Sequence, residues 1–418
     1  VYADFPKDAP IVQKYGGTSV GNAERIKAVA ARVARQFKAG HTRLAIVVSA
    51  RSGETNRLVD MVNEVNPRAS GTAYDMALAA GEQVSVALMA AAIEAEGVKA
   101  VPLLGHQLGV LTDELHTKAR IQSIKGEVIE AAWDSGAVTV IAGFQGVTSN
   151  NEITTLGRGG SDTSAVALAV ALKAAFCEIN TDVDGVFTAD PRVVTAARLI
   201  KTLDYDVALE MASLGSKVLH PRCVELGAKW NMPIVVRNTF TADDHQRTRI
   251  MPSNTTSAIE ALVVDGVTVD RSVAKITLSG LKKDSSVISE IFDGLGKLGV
   301  NVDIIIHDKP AADGTMRLGF SVGKADLDAA TRAIDSLVKE KGYKGLETAT
   351  ETGLAKVSVV GVGMRSYAGV AGRTFSALTR NDIDIHMIST SEIKISCVVA
   401  ESDADRAARA LHAEFVEG

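Results

Sequence analysis

From Ile11 onward the chain alternates short apolar runs with longer, alanine-rich amphipathic stretches, and this rhythm restricts the fold more than any other feature. Ile11–Tyr15, Leu44–Val48, Val98–Leu103, Val138–Ala142, Phe176–Asn180 and Ile234–Arg237 read as buried strands. Ala23–Lys38, Thr72–Ala95, Ile121–Asp134, Asp162–Lys173 and Ser216–Trp230 read as the helices between them. Parallel strands need crossover connections and helices supply them, so the alternation predicts a mainly parallel sheet with helices on both faces. The first part of the chain is therefore an α/β domain of about 250 residues. A chain of 418 residues is longer than one core usually organises, so further domains are expected.

The rhythm stops after Phe240. Residues 241–262 are polar and turn-rich, as expected of a linker. Beyond them the chain repeats itself: Ala274-Lys275-Ile276-Thr277-Leu278 returns as Ala355-Lys356-Val357-Ser358-Val359, and Val300–Ile305 returns as Ile383–Ile388. Each copy reads strand, helix, strand, strand, helix, which is the order of a ferredoxin-like α+β unit. The expected organisation is a catalytic domain over 10–240, a linker over 241–262, and small α+β modules over 263–342 and 343–418.

Composition narrows the function. A net charge of -5 and an aromatic share of 4% give neither the basic face nor the stacking rings of a nucleic-acid binder. Apolar runs such as Val84–Ile93 end at charges (Glu94, Glu96), short of the roughly 20 residues of a membrane span. Cys177, Cys223 and Cys397 are scattered and odd in number, and no H-x-x-x-H pair occurs, so neither a disulfide framework nor a metallohydrolase has support. The N-terminus lacks a signal-peptide design, and residues 1–9 stay outside the fold argument. These features predict a soluble cytoplasmic protein with no nucleic-acid or membrane partner.

Two glycine loops carry the chemistry. Lys14-Tyr15-Gly16-Gly17-Thr18-Ser19 ends the first strand and enters a helix. Glycines let a backbone approach closely with its N–H groups available, and a helix start adds positive potential, which suits a phosphate. Taken alone, the same residues equally suit an ordinary strand-to-helix turn. Gly157-Arg158-Gly159-Gly160-Ser161-Asp162 repeats the arrangement around an arginine able to grip a carboxylate with two prongs. Asp162 reads either as a helix cap or as the group that orients Lys14. The turn-rich stretch Asn180–Arg192 suits a ribose, a base edge and a phosphate, or else a long acidic hairpin. Gly294-Leu295-Gly296-Lys297-Leu298-Gly299 fits G-x-G-x-x-G but lies in a helix leading to a strand, the wrong order for a dinucleotide site, and no P-loop motif is present.

Lys14–Val20, Gly157–Asp162, Thr181-Asp182-Val183-Asp184-Gly185 with Ala189-Asp190-Pro191-Arg192, and Ser389-Thr390-Ser391-Glu392 together resemble aspartate kinase of the monofunctional bacterial type, over about residues 11–415. The resemblance implies an amino-acid-kinase fold followed by two ferredoxin-like ACT domains. It also implies transfer of the γ-phosphoryl group of ATP, with Mg2+, to the β-carboxylate of L-aspartate, the first step toward lysine, threonine and methionine. It assigns Lys14, Asp162 and Lys217 to catalysis, with Gly16 and Gly17 as backbone donors. Ser49, Thr181, Asp182, Phe187, Arg192 and Lys217 join Lys14 in lining the nucleotide, Phe187 standing where tyrosine is common. Thr55, Glu82, Arg158, Gly159 and Ser161 hold aspartate, Arg158 its carboxylate and Glu82 its ammonium. An aspartate side chain ordinarily titrates near about pH 3.9 and is already ionised at neutral pH, so no general base is needed. Kinases of acetylglutamate, glutamate or a nucleoside monophosphate are the nearest alternatives, and a catalytically silent amino-acid sensor is another.

The same resemblance places effector sites at Lys283, Ser286 and His307 in the first repeat and at Asp384, Ile385 and Ser391 in the second. The turn Met364–Val370 follows the family pattern except for Ala368 in place of proline. Lys282-Lys283-Asp284-Ser285-Ser286 lacks the acid, proline and glycine frequent there, and His307 replaces glutamine. Feedback by threonine or lysine is therefore expected to be weakened or altered. The ACT modules are expected to form a homo-oligomer, and Met251 marks where a separate regulatory subunit would start.

Overall fold

The computed structural model describes residues 5–216, 218–241, 246–252, 263–282, 285–308, 314–343, 345–365 and 367–417. The elements are β1 (Ile11–Tyr15), α1 (Ala23–Lys38), β2 (Leu44–Val48), α2 (Glu54–Val65), α3 (Thr72–Ala95), β3 (Ala100–Leu103), β4 (Leu111–Thr112), β5 (Ile121–Ser123), α4 (Glu127–Asp134), β6 (Val138–Ala142), β7 (Gln145–Val147), β8 (Ile153–Thr155), α5 (Gly160–Ala171), β9 (Phe176–Thr181), β10 (Thr202–Leu203), α6 (Tyr205–Ser213), α7 (Pro221–Trp230), β11 (Ile234–Asn238) and β12 (Arg247–Ile250). Then follow β13 (Gly266–Lys282), α8 (Ser285–Lys297), β14 (Val302–His307), β15 (Thr315–Gly323), α9 (Leu327–Lys341), β16 (Glu347–Val360), α10 (Val370–Thr379), β17 (Met387–Thr390), β18 (Lys394–Ala400) and α11 (Ala404–His412). Contacts divide the chain into two units: Val1–Phe187 with Leu199–Ser213 and Lys217–Ala258, and Thr188–Arg198 with Leu214–Ser216 and Ile259–Gly418.

The first unit is built on an eight-stranded sheet ordered β10-β12-β11-β9-β1-β2-β6-β3. Neighbours pair in parallel except β11 with β12. The apolar runs of β2 and β6 are buried throughout, as befits strands covered on both faces. α1 buries Ile26, Val29, Ala30, Val33 and Ala34, a stripe at helical spacing, and Asn22 caps it by accepting from the Arg25 N–H. α3 adds Val86, Met89, Ala90 and Ile93 to the same core.

The structure departs from the sequence reading at several points. Ile121–Asp134 is not one helix: Ile121–Ser123 pairs with β4, and the helix starts only at Glu127, after Gly126. β4, β5, β7 and β8 form a second, four-stranded sheet that the sequence did not announce. The helix expected from Ser216 begins at Pro221, where His220 accepts from the Arg222 N–H and proline takes the first turn, its missing N–H costing nothing there. α3 is long and apolar enough to cross a membrane by length and composition, with mean hydropathy 1.6, although half of that window is buried within the protein. Within the expected linker, Arg247–Ile250 is a strand of the main sheet, while 242–245 and 253–262 lie outside the described residues.

In the second unit both repeats share one six-stranded sheet ordered β14-β15-β13-β16-β18-β17. The start of β13, Gly266–Asp270, pairs with Val360–Lys356 of the second repeat. After a shift in register, β13 continues along β16 as far as Ser279 opposite Glu347, and from Val273 onward it also pairs with β15 on its other side. Ile276, Leu278, Ile291 and Phe320 centre one core. Val357, Val359, Leu378 and Leu411 centre the other, which also takes in Ala189 and Val194 from the stretch Thr188–Arg198.

Candidate active site

The central strands of the main sheet end level with one another: Tyr15 of β1 lies opposite Val48 of β2 and Asn180 of β9. The loops that follow them, from Gly16, Ser49 and Asp182, therefore leave the same edge of a parallel sheet, the place where α/β folds bind ligands. Lys14 is the charged residue of β1, and its Nζ lies 2.6 Å from Oδ1 of Asp162, each side chain little exposed. Asp162 stands in the first turn of α5, where a carboxylate suits the helix dipole.

The glycine loop is shaped by close approach. A Cβ on Gly17 would sit 2.8 Å from the Ala50 carbonyl oxygen, so only glycine lets the loop lie against Ala50–Ser52. Gly16, expected as a backbone donor, instead gives its N–H to the Asn180 carbonyl at 3.2 Å. The N–H groups of Gly17 and Thr18 have no partner among the described residues, so they are the donors this loop offers. Ser19 Oγ bonds Thr239 Oγ1 at 2.6 Å, tying the loop to the end of β11.

On the facing side, Gly159 holds a left-handed φ of 67° at the N-terminus of α5, and a Cβ there would lie 2.2 Å from the His220 side chain. Arg158 is exposed, and its guanidinium has no partner among the described residues. Ser161 is buried against Gly143, whose missing side chain makes room for it. Glu82 lies on α3, 3% exposed; its Oε1 accepts the Ala50 N–H at 2.9 Å, and its buried Oε2 has no partner among the described residues. Burial pushes its carboxyl up to about 7. Thr55, in the first turn of α2, and Ser49, whose N–H bonds the Tyr15 carbonyl, are half-buried.

Thr181 ends β9 and exposed Asp182 follows it, the Thr181 hydroxyl donating to Asp182 at 3.2 Å. Phe187 bridges to Leu199. Arg192 belongs to the second unit, where it grips Asp190 at 3.0 and 2.8 Å and holds that carboxyl below its ordinary range. Lys217 and Lys283 lie outside the described residues. His220 escaped the sequence reading. Burial lowers its imidazole's pKa while Asp162 works against that shift, and the signal for it was the His220-Pro221 helix start.

In the second unit, Met364, Arg365, Tyr367, Gly369, Ser391 and Glu392 line a cavity of about 610 Å³. The turn of the second repeat and the Ser389–Glu392 motif thus converge, joined by Arg365 Nε to Glu392 at 3.1 Å. Asp384 and Ile385 are not in its lining. Ser286 lies in the first turn of α8, and His307 ends β14 with Nε2 3.0 Å from Met316 Sδ.

Residues 9–238 match the amino acid kinase family. Over 407 residues the chain is 44% identical to an aspartate kinase of Stutzerimonas stutzeri, with 97% of both chains covered. The chain belongs to the aspartate kinase family. An aspartokinase of Geobacillus stearothermophilus is likewise 44% identical over 405 residues, covering 97% of both. Residues 357–415 match an ACT domain, so this aspartate kinase carries the regulatory module of its family. Its fold is that of Escherichia coli aspartokinase III, solved with aspartate and ADP, at a TM-score of 0.78, 23% identity, and coverage of 97% of this chain and 99% of that one.

Proposed function

We propose that the edge formed by β1, β2, β9 and the start of α5 is where this aspartate kinase passes the γ-phosphoryl group of ATP to the β-carboxylate of L-aspartate. A carboxylate oxygen bonds to the γ-phosphorus, the bond to the β-phosphate oxygen breaks, and the electron pair leaves on ADP. No proton moves, which agrees with a site whose acids and lysines bind and position rather than abstract. The Lys14–Asp162 ion pair carries this reading. Asp162 fixes the ammonium in one place, and a lysine has three donors, so donors remain for phosphate oxygens. Gly17 and Thr18 add N–H groups on the same edge.

Arg158 takes the α-carboxylate of aspartate, the unpaired Oε2 of Glu82 takes its ammonium, and Thr55 and Ser161 take the remaining polar groups. No group of three or more His, Cys, Asp or Glu residues placed to hold a metal ion lies among the described residues. Mg2+ arriving with the nucleotide would supply charge neutralisation for its phosphates, beside the Lys14 ammonium. Lys217 acts on the nucleotide. The second-repeat cavity receives threonine or lysine. The exposed Ile305 and Ile306 of β14 and Ile388 of β17 mark sheet edges that suit pairing with a second copy.

Lys14→Ala and Asp162→Ala are each expected to lower turnover roughly 10²-fold or more, with melting temperature little changed. Aspartate-dependent ADP release by the purified variants decides it. A folded variant with wild-type turnover removes the pair from the site.

A further inference from the structure

Asp75 is a fully buried acid that the reaction itself does not use. It lies on α3 two turns before Glu82, and that spacing puts both on one face of the helix. Four donors converge on its carboxylate. Oδ2 accepts the Thr155 N–H at 2.9 Å, the Thr117 N–H at 3.0 Å and His116 Nδ1–H at 3.0 Å, while Oδ1 accepts the Thr155 hydroxyl at 2.7 Å. A buried carboxylate is tolerated only with partners of this kind, so these segments are held together as one knot.

The knot leads to the Arg158 loop by two routes. Thr155 ends β8, and the chain runs from it through Leu156 and Gly157 to Arg158. Thr117 has a φ of 66°, a conformation a β-branched residue adopts only when its surroundings impose it. Its carbonyl oxygen is seated so tightly on Gly157 that a Cβ there would lie 2.9 Å away. Asp75 thus grips Thr155 and Thr117, the two supports of Gly157, from the helix that also carries Glu82. We propose that Asp75 is a positioning residue. It fixes the Arg158 loop relative to α3, and so sets the spacing between the groups that receive the carboxylate and the ammonium of the substrate. The inference rests on the roles given above to Arg158 and Glu82.

The test compares the KM values for L-aspartate and ATP in the full-length enzyme. Asp75→Asn turns an acceptor into a donor facing donors, and is expected to raise the aspartate KM by about 10²-fold, as a misplaced positioning group does. Thr155→Val removes only the hydroxyl bond and keeps the side chain's shape, so it serves even where Asp75→Asn fails to fold. An aspartate KM about tenfold higher with the ATP KM within about twofold, recovered by Thr155→Ser, is the expected outcome. A lower melting temperature with both KM values unchanged, or equal rises in both, overturns the inference and makes Asp75 a stability anchor. The roles beneath it are tested separately: unchanged aspartate KM in both Glu82→Gln and Arg158→Ala overturns those roles, and the inference with them.

Discussion

Burial holds the Glu82 carboxyl at about 7, and the direction of that shift can be read in two ways. Relative to its ordinary value of 4.5, the folded chain keeps a proton that the unfolded chain has released. Glu82 therefore favours folding at low pH, and this contribution is lost as pH rises from 4.5 through about 7. An ammonium placed beside Oε2 reverses the preference, because it favours the ionised carboxylate. The aspartate KM should accordingly fall as pH is raised from about 6 to about 8, and the Glu82→Gln enzyme should show a higher and flatter KM over that range. A wild-type KM that does not change with pH there would detach Glu82 from the ammonium. The sequence pointed to Glu82 only through its resemblance to a family. Next to Glu82, Gly81 lets α3 press on Ala50, since a Cβ there would lie 2.9 Å from the Ala50 side chain, a packing fact that no local pattern displays. Asp75 was less legible still, an acid in an alanine-rich helix with partners at Thr117 and Thr155, far along the chain.

Among the elements, strands and helices of the main sheet could be read where apolar periodicity was strong: Ile11–Tyr15, Leu44–Val48, Val138–Ala142, Ala23–Lys38 and Thr72–Ala95 stand where the sequence put them. Short strands of the four-stranded sheet could not be read, because two or three residues carry no period, and Ile121–Ser123 was absorbed into the helix that follows. The junction of α5 and α7 shows what such short segments do. Gly159 starts α5 in a left-handed conformation directly against the His220 side chain, which caps α7. Gly159→Ala adds a Cβ both to that conformation, at about 1–2 kcal/mol, and to the space of the imidazole. The variant should melt several degrees lower and lose activity, and His220→Ala should restore part of the stability but not all of it, since the backbone strain remains. Full restoration by His220→Ala, or a harmless Gly159→Ala, would contradict the packing described here.

At the scale of the whole molecule, the chain joins a kinase unit to a regulatory unit, and the repeat in the sequence announced the second. It did not announce that β13 would serve both copies, since a long strand with a shift near Asp270 looks like an ordinary strand in sequence. Nor did it announce that Thr188–Arg198 would pack its Ala189 and Val194 into the regulatory core. The departures Ala368 and His307 lead to the expectation that threonine and lysine, singly or together, inhibit only above the sub-millimolar levels usual for metabolite sites. Strong inhibition below that level, in a titration against kinase activity, would show intact feedback. Transfer to the side-chain carboxylate of aspartate makes the product a mixed anhydride. Such an acyl phosphate reacts with hydroxylamine to give a hydroxamate and inorganic phosphate, so trapping identifies the bond that was made. Aspartate β-hydroxamate is expected in amounts equal to the ADP released, dependent on both ATP and L-aspartate and lost in Lys14→Ala. ADP release without hydroxamate would contradict it.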